Sequence, residues 1–134
     1  MGTRAIVYVK ENNKKIIEMY SQCDGYPHGL GKELRDFLSK GKLTNNGYTL
    51  GDLQEAKRVF NGMEDLAAQL VAYFKDGTGG IYLYSPTRNY RDKTKYYEIY
   101  NAEYVYEISK TKDNELQLKC WNCWNNKREF YNKF

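Results

Sequence analysis

The chain predicts an α+β fold: one antiparallel sheet, built from an N-terminal hairpin and a C-terminal β-meander, with about three helices packed on one face. Three observations carry this. Ala5 to Val9 is an unbroken apolar run that ends in a turn. Between Leu34 and Phe74 the apolar residues recur at helical spacing. From Ile81 onward the period drops to two.

Taken in order, Arg4 to Lys10 reads as a strand covered on both faces, Glu11 to Lys14 as a turn, and Lys15 to Cys23 as the returning strand. A glycine-rich loop, Asp24 to Lys32, follows. Leu34, Phe37 and Leu38 then mark a short helix ending near Gly41. Asn45-Asn46-Gly47 is a turn, and Thr49 an N-cap for a helix that carries Leu53, Ala56 and Phe60 on one face. A third helix, from about Met63 to Lys75, has the best apolar stripe: Leu66, Leu70, Val71 and Phe74. Ile81 to Ser85 is a strand, and Pro86 to Thr94 a polar, basic loop. Tyr96 to Tyr100 and Glu103 to Ser109 read as strands broken at Asn101-Ala102. Lys112-Asp113-Asn114 turns into a strand from Glu115 to Trp121, and Asn125 to Phe134 is a last short strand or a frayed tail.

A length of 134 residues suits a single domain, 1–134. The first apolar run is too short for a secretory signal, Gln69 interrupts the longest helical one, and Ile6 stands where a myristoylation signal needs Ser or Thr. The expectation is therefore a soluble, cytoplasmic protein without a membrane partner. Net charge is only +4, short of the footprint of a dedicated nucleic-acid binder. The 14 tyrosines suit a half-buried sheet, or a groove that stacks bases.

Asp24-Gly25-Tyr26-Pro27-His28-Gly29-Leu30-Gly31-Lys32 draws the eye because its glycines allow a tight shape ahead of a helix. Helix N-termini attract anions, so the Gly29 and Gly31 backbone with Lys32 could receive one. A P-loop is excluded: the glycine spacing is one residue too long, and Glu33 replaces the Ser or Thr that would hold magnesium. Asp24 and His28 could form an orienting pair for a small phosphoester hydrolase or nuclease, though Asp24 serves equally as a turn residue. Cys23, His28, Cys120 and Cys123 raise a zinc reading. At the end of an alternating strand, however, Cys120 and Cys123 face opposite ways, so neither a metal nor a cofactor is expected. Arg88 and Arg91, flanking Asn89 and Tyr90, could bind phosphate or a stacked base in a nucleic-acid-binding protein.

Met1-Gly2-Thr3-Arg4, then Tyr20, Asp24-Gly25-Tyr26-Pro27 and Gly29-Leu30-Gly31 resemble a group of small uncharacterised bacteriophage and viral proteins. That group opens on Gly-Thr-Arg and carries an Asp-Gly-Tyr-Pro, Gly-x-Gly loop before a helix. Asn101 to Tyr106 is similar to its late strand. The match is strong over roughly the first quarter, and Gln22 and Cys23 depart from it where the group often has His and an aromatic. The resemblance implies a viral accessory protein that interacts with a host component, and the expectation built on it is a binding module without enzymatic activity, in the host cytoplasm, acting on a host defence protein or a nucleotide-like signal. The expected ligand-binding residues are Thr3, Arg4, Asp24, Tyr26, Gly29, Gly31 and Lys32, with Arg88 and Arg91 for an anionic ligand or nucleic acid.

Overall fold

The computed structural model describes residues 2–134. Its elements run β1 (Ala5–Glu11), β2 (Lys14–Ser21), a wide helical turn (Pro27–Gly31), α1 (Lys32–Ser39), β3 (Gly41–Thr44), α2 (Leu50–Glu55), β4 (Arg58–Asn61), α3 (Met63–Phe74), β5 (Ile81–Tyr84), α4 (Thr94–Tyr100), β6 (Tyr104–Lys110), β7 (Leu116–Asn122) and β8 (Lys127–Lys133). The main sheet has the strand order β5-β2-β1-β6-β7-β8, and β3 and β4 form a small parallel pair beside it.

The fold is α+β, with the expected hairpin and meander. Asn12 and Asn13, both left-handed (φ 53° and 64°), make the tight turn between β1 and β2. What joins the two halves differs from the expectation. Strand β1 lies parallel to β6, Ala5 opposite Tyr104 and Val9 opposite Ile108, so the sheet is mixed rather than antiparallel throughout. This pairing explains the unbroken apolar run. A central strand with layers above and below it must be apolar on both faces, and all of Ala5, Ile6, Val7, Tyr8 and Val9 are fully buried.

One face of the sheet (Ala5, Val7, Val9, Met19, Tyr106, Ile108, Leu118) packs under α1 and α3 through Leu34, Phe37, Leu38, Leu66 and Leu70. The opposite face carries a second core of Ile6, Tyr8, Val105 and Cys123, closed by Tyr96 and Ala102. Helices therefore cover both faces, not one.

Two elements change type. Tyr96 to Tyr100 is α4, not a strand: Tyr96 and Tyr100 lie four apart on one helix face, and Asn101 ends the helix in the left-handed conformation (φ 59°). The aromatic, β-prone composition misled because burial against Tyr8 outweighs propensity. Phe60 lies on β4 rather than on the helix of Leu53, because α2 stops at Ala56. There Phe60 packs its ring 5.2 Å from that of Phe37, at a place that only a glycine, Gly41, allows it to reach. Thr49 caps α2 as expected, its hydroxyl accepting from the Asp52 amide while Asp52 accepts from the Thr49 amide. Among the described residues, no helix is long and apolar enough to cross a membrane.

Candidate functional site

The Asp24–Lys32 loop is held as part of the scaffold. Tyr106, fully buried on β6, donates its hydroxyl to the Gly25 carbonyl at 2.6 Å, and the Gly25 amide donates to the Thr3 carbonyl at 2.9 Å. The amides expected to receive an anion are engaged inside the loop: Gly29 N–H with the Tyr26 carbonyl (3.0 Å), Leu30 N–H with the Asp24 carbonyl (2.8 Å) and Gly31 N–H with the Tyr26 carbonyl (3.4 Å). A side chain at Gly29 would press within 2.6 Å of the Asp24 carbonyl oxygen, which accounts for glycine there. Asp24 adopts a left-handed backbone (φ 58°), and its side chain, like those of Tyr26, His28 and Lys32, points to solvent.

Thr3 adjoins this loop through its carbonyl, whereas the Arg4 side chain turns away to the end of α4, Nε donating to the Asn101 carbonyl at 3.1 Å. Arg88 and Arg91 do not adjoin the loop. They belong to the segment that crosses the opposite face of the sheet, so the nine residues singled out in the sequence form two separate groups. Cys120 and Cys123 likewise divide between the two cores, where one ion cannot reach both thiols. Burial raises both thiols, that of Cys123 to about 12, far from the thiolate a metal requires.

The chemistry-rich region is the second face. Lys15, buried at the start of β2, donates from Nζ to Glu18 Oε1 (2.8 Å), Tyr96 Oη (2.7 Å), Thr87 Oγ1 (3.1 Å) and the Arg88 carbonyl (3.2 Å). Its ammonium also sits over the Tyr8 and Tyr96 rings, 4.4 and 4.8 Å from their centroids. This one cation ties the 86–93 segment and α4 to the sheet. Burial lowers its pKa, against the pull of Glu18. Beside it, Tyr8 donates to Glu107 Oε1 at 3.0 Å, and Lys10 closes on the same oxygen at 2.8 Å. Burial, with the Glu107 charge added to it, pushes the Tyr8 hydroxyl far above its ordinary value.

Burial alone would raise the Glu18 carboxyl, but Lys15, the nearby Tyr100 hydroxyl and the Thr87 amide hold it below the glutamate value of 4.5, even though Oε2 keeps no hydrogen-bond partner. The unfolded chain takes up the proton near 4.5 and the folded chain only at lower pH. The stabilisation is therefore complete above that value and is lost as pH falls through the folded pKa. Urea unfolding midpoints should drop from pH 7 into this acid range, and Glu18→Gln should flatten that limb; an unchanged acid limb in the variant would remove Glu18 from the account.

Where the 86–93 segment meets β1 and β6 a cleft of about 380 Å³ opens, lined by Tyr8, Lys10, Asn13, Asn89, Tyr90, Arg91, Lys93 and Glu107. Lys93 is the telling member. It is 7% exposed, donates from Nζ to the Tyr90 carbonyl at 2.6 Å and lies 4.4 Å over the Trp121 ring, yet it has no carboxylate partner among the described residues. Burial lowers its pKa, opposed by the more distant Glu107. Asn126 fixes its backbone by accepting from the Lys93 amide at 2.8 Å, and Asp92 accepts from the Thr94 amide (3.1 Å) and hydroxyl (2.6 Å) where α4 begins. Arg91 stands exposed beside it, and the Arg88 guanidinium covers the Tyr90 ring at 5.2 Å.

The sequence pointed to Arg88 and Arg91, with Lys93 and Lys95 in the same basic run, but not to Lys10 and Lys15. Lys10 and Lys15 stand at the hairpin ends of their strands beside Glu11 and Lys14, where a lysine reads as an ordinary solvated turn residue. No family model matches the chain, and neither a curated protein nor a solved structure matches it.

Proposed function

We propose that this chain is a binding protein without enzymatic activity, an accessory protein of viral type, that captures a phosphate-bearing, nucleotide-like ligand in the cleft between Tyr90, Arg91, Lys93 and Lys10. The observation that carries the reading is Lys93. A buried ammonium without a counter-ion is costly, and an incoming anion would relieve that cost. Arg91 offers a planar fork for phosphate oxygens, and Tyr90 a ring against which a base can lie. The viral character rests on the sequence resemblance, and a nucleotide-like signal of host defence is the ligand consistent with both.

The non-enzymatic part draws on the placement of the imidazole. His28 lies exposed on the loop that packs under the other face, and among the described residues neither it nor the Asp24 carboxylate makes a hydrogen bond that would orient it for proton transfer. Titration calorimetry with ATP and with inorganic phosphate tests the reading. ATP should bind, and Lys93→Met, which keeps the packing on Trp121, should weaken it about tenfold or more. Arg91→Ala, at an exposed position, should also weaken binding while leaving stability unchanged. Absent binding, or two variants that bind like the parent, would overturn it.

A further inference from the structure

We propose that the ligand of this cleft is a single-stranded nucleic acid, whose backbone continues from Lys93 across the open half of the sheet to Lys119 and Tyr131. This rests on the reading that the cleft holds a phosphate, and adds the ligand class. Three observations carry it.

The cleft has no far wall. Through Lys10, Asn13 and Glu107 it runs into a hollow of about 660 Å³ over the ends of β1, β6 and β7, because the core under α4 (Ile6, Tyr8, Val105, Cys123) stops short of Lys10, Ser109 and Gln117. A pocket for one mononucleotide would be enclosed; this is a track. From β1 to β8 it crosses three strand spacings, about 14 Å. That is the reach of roughly four nucleotides at the spacing of a stacked strand, matching the small end of single-strand site sizes.

Its charge is lopsided in a way the net charge hides. Three carboxylates along and beneath the track are matched by lysines, Glu18 by Lys15, Glu107 by Lys10 and Glu11 by Lys110, while Asp92 and Asp113 stand in its turns beside Arg91 and Lys112. The cations left over are Arg91 and Lys93 in the cleft, Lys112 and Lys119 over the hollow, the last still 3.9 Å from Glu107, and Lys14 and Arg88 in the adjoining hollow beneath the 86–89 stretch. Set against Asp92 and Asp113, those six still leave an excess equal to the whole-chain charge of +4, so the net positive charge of the chain is gathered here. A concentrated stripe of this kind is the electrostatic footprint of a polyanion site.

Aromatic rings stand at both ends. Tyr90 lies at the near end. At the far end Tyr131, 41% exposed, follows Glu107 and Lys119 in the same cross-strand row. The Lys119 ammonium and the Arg128 guanidinium hold positions 5.4 and 5.6 Å from its ring, and its hydroxyl donates to Gln117 Oε1 at 2.8 Å, fixing the ring in place. Rings beside phosphate-binding cations can take unpaired bases, whereas in a duplex those faces are already stacked.

The test is fluorescence anisotropy with a labelled oligothymidylate of about 12 nucleotides, a duplex of equal length, and ATP as competitor. The single strand should bind, with affinity falling steeply between about 50 and 200 mM salt, and the duplex at least tenfold more weakly. Lys119→Ala should reduce the slope of log K against log salt by about 0.7, while Tyr131→Ala should weaken binding about tenfold at an unchanged slope. Equal binding of the duplex, or wild-type behaviour of both variants, would overturn the inference. ATP binding that depends on Lys93 without any oligonucleotide binding would overturn it too, while leaving the reading of the cleft standing. Failure of both ligands would end both.

Discussion

Replacing Lys15 by methionine is expected to cost about 3–5 kcal/mol of folding stability, the range for removing one partner of a buried ion pair. The cause is what stays behind. Glu18 Oε1 would keep only the Thr87 amide (3.1 Å) and hydroxyl (2.9 Å), in a site where its side chain is fully buried. The Arg88 carbonyl and the Tyr96 hydroxyl would each lose a donor as well. Urea unfolding of Lys15→Met against the parent measures this. The double variant Lys15→Met with Glu18→Leu should recover a large part of the loss, because removing both charges abolishes the desolvation cost along with the attraction. A single variant as stable as the parent would mean that water reaches Glu18 and that the network does not hold the 86–93 segment.

Tyr96→Ala should cost a similar amount, about 3–5 kcal/mol, as for other buried aromatic truncations. Tyr96 is fully buried, its ring stacked 6.1 Å from Tyr8 and met edge-on by Tyr90 at 5.6 Å. It is the contact by which α4 closes the second core, so the cavity would open directly beneath the cleft. Loss of ligand binding should accompany the loss of stability, since Tyr90 and Lys93 flank the segment that Tyr96 anchors. Tyr96→Phe separates the two roles: it keeps the ring and removes only the hydroxyl that accepts from Lys15, at about 1–3 kcal/mol. If Tyr96→Ala binds ATP as well as the parent under conditions where both are folded, the cleft does not depend on this packing.

Much of the fold was legible because local signals and tertiary demands agree. The helix of Leu66, Leu70 and Phe74, the asparagine turn after β1 and the Thr49 cap all follow from residues that act within a few positions of themselves. The misreadings fall where tertiary contacts decide. Tyr96 to Tyr100 has strand-like composition and becomes a helix because its tyrosines share one face against Tyr8, and Phe60 leaves the helical register to reach Phe37. The site was legible only in part. Arg88 and Arg91 stand out in a polar loop, but the groups that line the cleft with them are spread over β1 (Tyr8, Lys10), the 86–93 segment (Lys93) and β6 (Glu107). Only the parallel pairing of β1 with β6 and the passage of 86–93 across that face bring them together. The glycine loop, the most conspicuous stretch in the sequence, owes its composition to close backbone packing against Asp24 and Tyr106.

That parallel pairing also sets an order of events during synthesis. Tyr8 and Glu107 are 99 positions apart, and no shorter connection places a strand on that edge of β1. The hairpin β1–β2 can form as soon as it leaves the ribosome, yet its most apolar strand then presents an unpaired edge until β6 is made. High sequence separation between pairing strands makes the closing step slow. The nascent chain therefore carries an adhesive strand until residues 104–110 are made, and the helical middle, α1 and α3, covers one face of that hairpin while its edge waits for the meander.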